Sequence, residues 1–71
     1  MLMQLTAVVM PAQEGGFIAM SPETGTTTQG ETIEDALANL QEATTLYLEE
    51  FPLTFYGKPL LTTIEVSADA A

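Results

Sequence analysis

Ten carboxylates and a single cation, Lys58, are the side chains from which this sequence could build chemistry; it has no histidine, cysteine or arginine. Converging Asp and Glu side chains can hold the two metal ions of a phosphodiester-cleaving site. The densest acidic group, Glu31, Glu34 and Asp35, stands at the start of a helical pattern, where the helix dipole and capping already account for it. No acidic residue falls in the segments that would form the centre of a sheet. Without histidine or cysteine the commonest general base and the thiol nucleophile are missing, and Ser21 and Ser67 have no base near them in sequence. Gly15-Gly16 lacks the lysine and following helix of a phosphate-binding loop; Phe17 opens a strand instead, so the pair reads as a turn. The expectation is a chain with no catalytic residues, no metal site and no cofactor.

The elements that would carry these residues follow from periodicity. Residues 3–10 are rich in β-formers, with Met3, Leu5, Ala7 and Val9 on one face and Gln4, Thr6, Val8 and Met10 on the other. Pro11 should end this strand. Gly15 and Gly16 supply a hairpin turn, residues 16–20 a second strand, Ser21 to Gly25 another turn, and residues 26–29 a third strand. A helix over 32–50 is predicted by Thr32 at the N-cap and Asp35 three residues on, an approximate capping box. Its apolar stripe is Ile33, Ala36, Leu37, Leu40, Thr44, Tyr47 and Leu48, and Pro52 stops it. Residues 51–59 read as a connection, 60–66 as a last strand with Leu60, Thr62, Ile64 and Val66 on one face, and 67–71 as a frayed tail.

A β-β-β-α-β order in one α+β domain follows. A meander of three strands and a right-handed helical crossover give a mixed sheet in the order 3-2-1-4, with the helix on one face. Strands one and two carry apolar residues on both faces, and one helix covers only one of them. Val8, Met10, Ile18 and Met20 are therefore expected to meet a second surface, most simply another copy. A chain of 71 residues without disulfides or zinc ligands is too small for a large core, which also favours a homo-oligomer.

Charge narrows the partners. A net charge of −9 repels phosphate backbones and draws basic proteins, so direct nucleic-acid binding is not expected. No apolar run could span a membrane, and the first residues are not organised as a signal peptide, so a cytoplasmic location is the expectation.

The residues Gly16-Phe17-Ile18-Ala19, Pro22-Glu23-x-Gly25, Thr28-Gln29-Gly30-Glu31-Thr32, Glu34-x-Ala36-Leu37-x-Asn39-x-x-Glu42-Ala43 and Leu46-Tyr47-Leu48-Glu49 occur in this order. In sequence and spacing they resemble the HicB antitoxin family over roughly the first 50 residues. The resemblance implies a partial RNase H-like fold without nuclease function, which neutralises a small basic ribonuclease, HicA. Many relatives carry a further DNA-binding segment; only five residues follow Val66 here, so direct operator binding is not expected. The surface expected to meet such a toxin is the polar helix side, with Glu34, Asp35, Glu42 and Glu49 supplying charge, Leu46 an apolar anchor, and Glu14 adding to the same field. The competing expectation is a stand-alone homo-oligomeric structural or regulatory domain with no toxin partner.

Overall fold

The computed structural model describes residues 2–53 and 57–69. Among these residues there are three strands and one helix: β1 (Val8–Pro11), β2 (Phe17–Ser21), β3 (Thr26–Gly30) and α1 (Ile33–Glu50). The strands form an antiparallel meander in the order β1-β2-β3. Both turns use glycine where the backbone must go left-handed: Gly15 and Gly16 have φ of 107° and 76°, and Gly25 has φ of 76°. Gly25 N–H closes the second turn on the Ser21 carbonyl at 2.7 Å.

The strand register decides which face is inside. Val9 stands opposite Ala19 and Pro11 opposite Phe17, while Val8 pairs with Met20 and Met10 with Ile18. Ala19 is fully buried with Ala36 and Leu40 of the helix, and Val9 and Phe17 pack against them. By alternation, Val8, Met10, Ile18 and Met20 belong to the face away from the helix.

The helix begins as its sequence predicts. The Thr32 hydroxyl accepts from the Asp35 N–H at 3.0 Å, a bond of the kind that contributes about 1 kcal/mol. It ends ahead of Pro52, with the Phe51 N–H donating to the Tyr47 carbonyl at 2.8 Å. The helix lies mainly over β3 and β2 and barely reaches β1. Ala36, Leu40 and Thr44 form the buried centre of its stripe, whereas Ile33, Leu37 and Tyr47 remain exposed. The Thr44 hydroxyl is satisfied inside by the Leu40 carbonyl at 2.7 Å.

Two expectations require correction. The first strand does not run over 3–10; it starts at Val8 and includes Pro11. The cause is its neighbour: β2 stops at Ser21 and the chain turns away, so the β1–β2 ladder begins at the Val8–Met20 pair. Glu23 holds the segment ahead of it. Its carboxylate accepts from the Thr6 N–H at 2.9 and 3.0 Å and from the Thr6 hydroxyl at 2.9 Å. The second correction concerns residues 60–66, which form no strand, so the sheet of the described residues has three antiparallel members. An alternating apolar segment becomes a strand only when a neighbour takes its hydrogen bonds, and this one lies exposed along its whole length. Of the connection expected over 51–59, residues 54–56 lie outside the described residues, as do residues 70 and 71 of the expected tail; residues 67–69 are exposed.

Candidate functional site: three surfaces around a small core

The residues of the Thr28-Gln29-Gly30-Glu31-Thr32 motif build the junction between β3 and α1. The Thr28 hydroxyl donates to the Ala36 carbonyl at 3.0 Å, and the Asn39 side-chain amide donates to the Gln29 carbonyl at 2.7 Å. A side chain at Gly30 would collide with the backbone of Asp35 and Ala36, so only glycine permits this approach of strand and helix. Thr32 then caps the helix. The motif therefore acts on the fold, and by fixing the helix against β3 it determines which side of the helix faces outward.

That outward side is the first surface. Asp35, Glu42, Leu46 and Glu49 are separated by seven, four and three positions and so fall on one line along the helix. Glu34 lies about a quarter of a turn away. All five are exposed, Leu46 at 57%. The last helical turn carries no basic residue, so nothing on the helix offsets this charge. The structure thus brings the expected toxin-facing residues onto one helix. Glu14 is set apart at the β1–β2 hairpin, where it lines a shallow depression with Phe17, Gln29 and Glu31.

The second surface is the uncovered sheet face. Val8–Met20 and Met10–Ile18 are directly opposed cross-strand pairs, bordered on β3 by Thr27 and Gln29. Val8, Ile18 and Met20 are half-buried and Met10 is exposed.

Periodicity did not reveal the third. A groove of about 550 Å³ runs beside the helix, between Leu37, Leu40 and Leu48 on one wall and Met3, Leu5 and Ala7 on the other. Its floor includes Ser21 and Thr44. The groove exists because the helix is displaced toward β3 and does not extend over β1 and the segment before it. The signal that could have indicated it is the width of the helix stripe: Leu37 and Leu48 extend the apolar face beyond what a three-stranded sheet can cover.

Electrostatically, Glu23 is the perturbed group. Partial burial raises its pKa, but hydrogen bonds from the Thr6 and Glu23 backbone N–H groups and from the Thr6 and Ser21 hydroxyls outweigh this. They hold the carboxyl below the ordinary glutamate value. Among the described residues no three of His, Cys, Asp and Glu are grouped to hold a metal ion. No described helix is long and apolar enough to cross a membrane.

Fold and surfaces define a small α+β domain of acidic character. A curated protein of Synechocystis sp. (strain ATCC 27184 / PCC 6803 / Kazusa), UPF0150 protein ssl0738, is 42% identical over 48 residues, which are 66% of this chain and 67% of that protein. The chain belongs to the UPF0150 family. No family model matches the chain, and no solved structure matches it.

Proposed function

We propose that this chain is a non-catalytic, antitoxin-type binding module of the HicB kind, which neutralises a small basic ribonuclease by covering it. The observation that carries the reading is the outer helix line, in which Asp35, Glu42 and Glu49 surround exposed Leu46 on a chain of net charge −9. A basic enzyme that binds RNA has a cationic surface, and such a surface is drawn to a carboxylate field with an apolar residue at its centre. The likeness of the strand–helix junction to HicB antitoxins gives the reading its family context. In the same reading the fold is a partial RNase H-like one, whose sheet reaches the order 3-2-1-4 once residues 60–66 are seated beside β1. The partner class is a protein, with no direct contact to nucleic acid, and the setting is the cytoplasm.

The test is inhibition. A purified HicA-type ribonuclease cleaving a fluorogenic RNA should lose activity as this chain is added, reaching full inhibition near equimolar protein. Unchanged cleavage in a tenfold excess of the chain would rule the reading out.

A further inference from the structure

Among the described residues β3 is an outer strand of the sheet, with β2 on one side and no strand on the other. It would be an outer strand of the order 3-2-1-4 as well, so a strand seated beside β1 would not alter its edge. The hydrogen-bond phase of β2 shows what that edge presents. The Gly16 carbonyl accepts from the Ala12 N–H, on the β1 side, at 2.9 Å. Backbone groups turn alternately to either side along a strand, so those of Ile18 and Met20 also turn to β1, and those of Phe17, Ala19 and Ser21 turn to β3. Their partners there are Gly30, Thr28 and Thr26. The backbone N–H and C=O groups of Thr27 and Gln29 therefore point away from the sheet.

One of these groups is already occupied: the Gln29 carbonyl accepts from the Asn39 side chain at 2.7 Å. The Thr27 N–H, the Thr27 carbonyl and the Gln29 N–H take no turn, loop or side-chain hydrogen bond among the described residues. Both residues are exposed. An open edge is a template for another strand unless proline, lysine or an inward charge guards it. Thr26–Gly30 contains none of these, and its three threonines favour the extended chain.

A second copy of β3, antiparallel about a two-fold axis at Thr27, meets this edge without conflict. The two Thr27 residues lie opposite each other and exchange a pair of N–H···O=C bonds. Gln29 then lies opposite the second copy's Gly25, and its N–H donates to that carbonyl. The return bond would need the Gly25 N–H and the Gln29 carbonyl, and each is held in its own chain, by Ser21 and by Asn39, at 2.7 Å. Moving the axis to Thr28 would instead set the Thr27 N–H against the carbonyl that Asn39 occupies. The helices also fit. Because α1 lies mainly over β3 and β2, and paired strands are about 4.8 Å apart, the two helices run about 10 Å apart, a packing distance. The flank that faces across carries Asn39 and Ala43, both short and uncharged. Two chains of net charge −9 meet most readily where neither is charged, and this edge and flank satisfy that condition at the axis. At each end Glu31 comes toward Glu23 of the other copy, a repulsion that salt screens.

We propose that β3 pairs with β3 of a second copy about a two-fold axis at Thr27, joining the two sheets into one. The pairing goes beyond the toxin reading and does not require it, since Asp35, Glu42 and Glu49 stay on the helix side away from the sheet.

A chain without cysteine gives a direct test. Directly opposed residues bring their Cβ atoms to about 5.5 Å, within reach of a short bis-maleimide. Thr27→Cys should therefore crosslink into a covalent dimer, whereas Thr45→Cys, on the exposed helix surface, should give little. Light scattering on the full chain in 0.15 M salt should give twice its 7.6 kDa mass, falling toward 7.6 kDa in 0.01 M salt as screening is lost. Thr27→Pro removes an edge N–H that the β2 ladder does not use, and Thr27→Asp opposes two carboxylates; each should return the mass to 7.6 kDa in 0.15 M salt. Circular dichroism checks that both remain folded; if Thr27→Pro does not, Thr27→Asp decides, because that side chain is exposed. A wild-type monomer in 0.15 M salt would overturn the pairing, and hydrogen exchange at the Thr27 amide would then show whether a segment of the same chain covers the edge. A dimer that survives Thr27→Asp would also overturn it, since another face, such as Val8, Met10, Ile18 and Met20, would then hold the copies. So would equal crosslinking of the two cysteine variants. Salt strengthens this association and weakens the proposed capture of a ribonuclease, so the two readings fail separately.

Discussion

At Glu23 one carboxylate accepts both the backbone N–H and the hydroxyl of Thr6, and also the Ser21 hydroxyl at 3.2 Å. It anchors the segment leading into β1 to the β2–β3 turn. Because its folded pKa lies below the unfolded value, its contribution is complete above the unfolded pKa and is lost as pH falls through the folded one. Urea unfolding at a series of pH values should therefore show the wild-type advantage over Glu23→Gln at neutral pH shrinking below about pH 4, where a free glutamate titrates. An advantage that does not change with pH would remove the carboxylate from this role. Gly30 gives the larger residue-scale effect. Gly30→Ala forces a methyl group into the Asp35–Ala36 backbone and should cost about 1–3 kcal/mol in the same assay. Thr32→Ala, which removes only the cap, should cost about 1 kcal/mol.

The elements differ in how far the sequence alone discloses them. Both hairpin turns and the helix were legible because their determinants are local: glycines at positive φ, Thr32 at the cap, Pro52 beyond the end. The inward and outward faces of β1 and β2 also followed, since a strand alternates whatever its neighbours do. The length of β1 and the state of residues 60–66 were not legible, because a strand is defined by its partner as much as by its residues. The alternation of Leu60, Thr62, Ile64 and Val66 indicates an ability to pair but does not name the neighbour. The groove escaped for the same reason: it arises from the displacement of α1 toward β3, set by the close approach at Gly30 and the Thr28 and Asn39 hydrogen bonds. The proposed site, by contrast, was readable from helix spacing, since Asp35, Glu42, Leu46 and Glu49 share one line wherever the helix packs. On that element, exposed carboxylates and a leucine should divide the kinetics of toxin binding. Replacing Glu34, Glu42 and Glu49 together by glutamine should slow association several-fold at low salt and matter little at high salt. Leu46→Ala should shorten the residence time up to about tenfold with little change in association, since most interface truncations act on dissociation. Surface plasmon resonance with the ribonuclease immobilised separates the two.

For the molecule as a whole, a net charge of −9 on 71 residues sets the reach of the proposed interaction before any contact forms. With one cation in the chain, the field outside the protein is of one sign over most of its surface. Its range follows the Debye length, about 30 Å at 0.01 M ionic strength and about 8 Å at 0.15 M. In the proposed reading, this field is what draws a basic ribonuclease to the chain. The most direct check is stopped-flow measurement of the association rate between this chain and a purified HicA-type ribonuclease across that range of ionic strength. The account predicts a rate that falls by at least tenfold as salt rises from 0.01 to 0.15 M, in step with inhibition of RNA cleavage. No detectable association at micromolar protein, or a rate that is flat across the range, would contradict it.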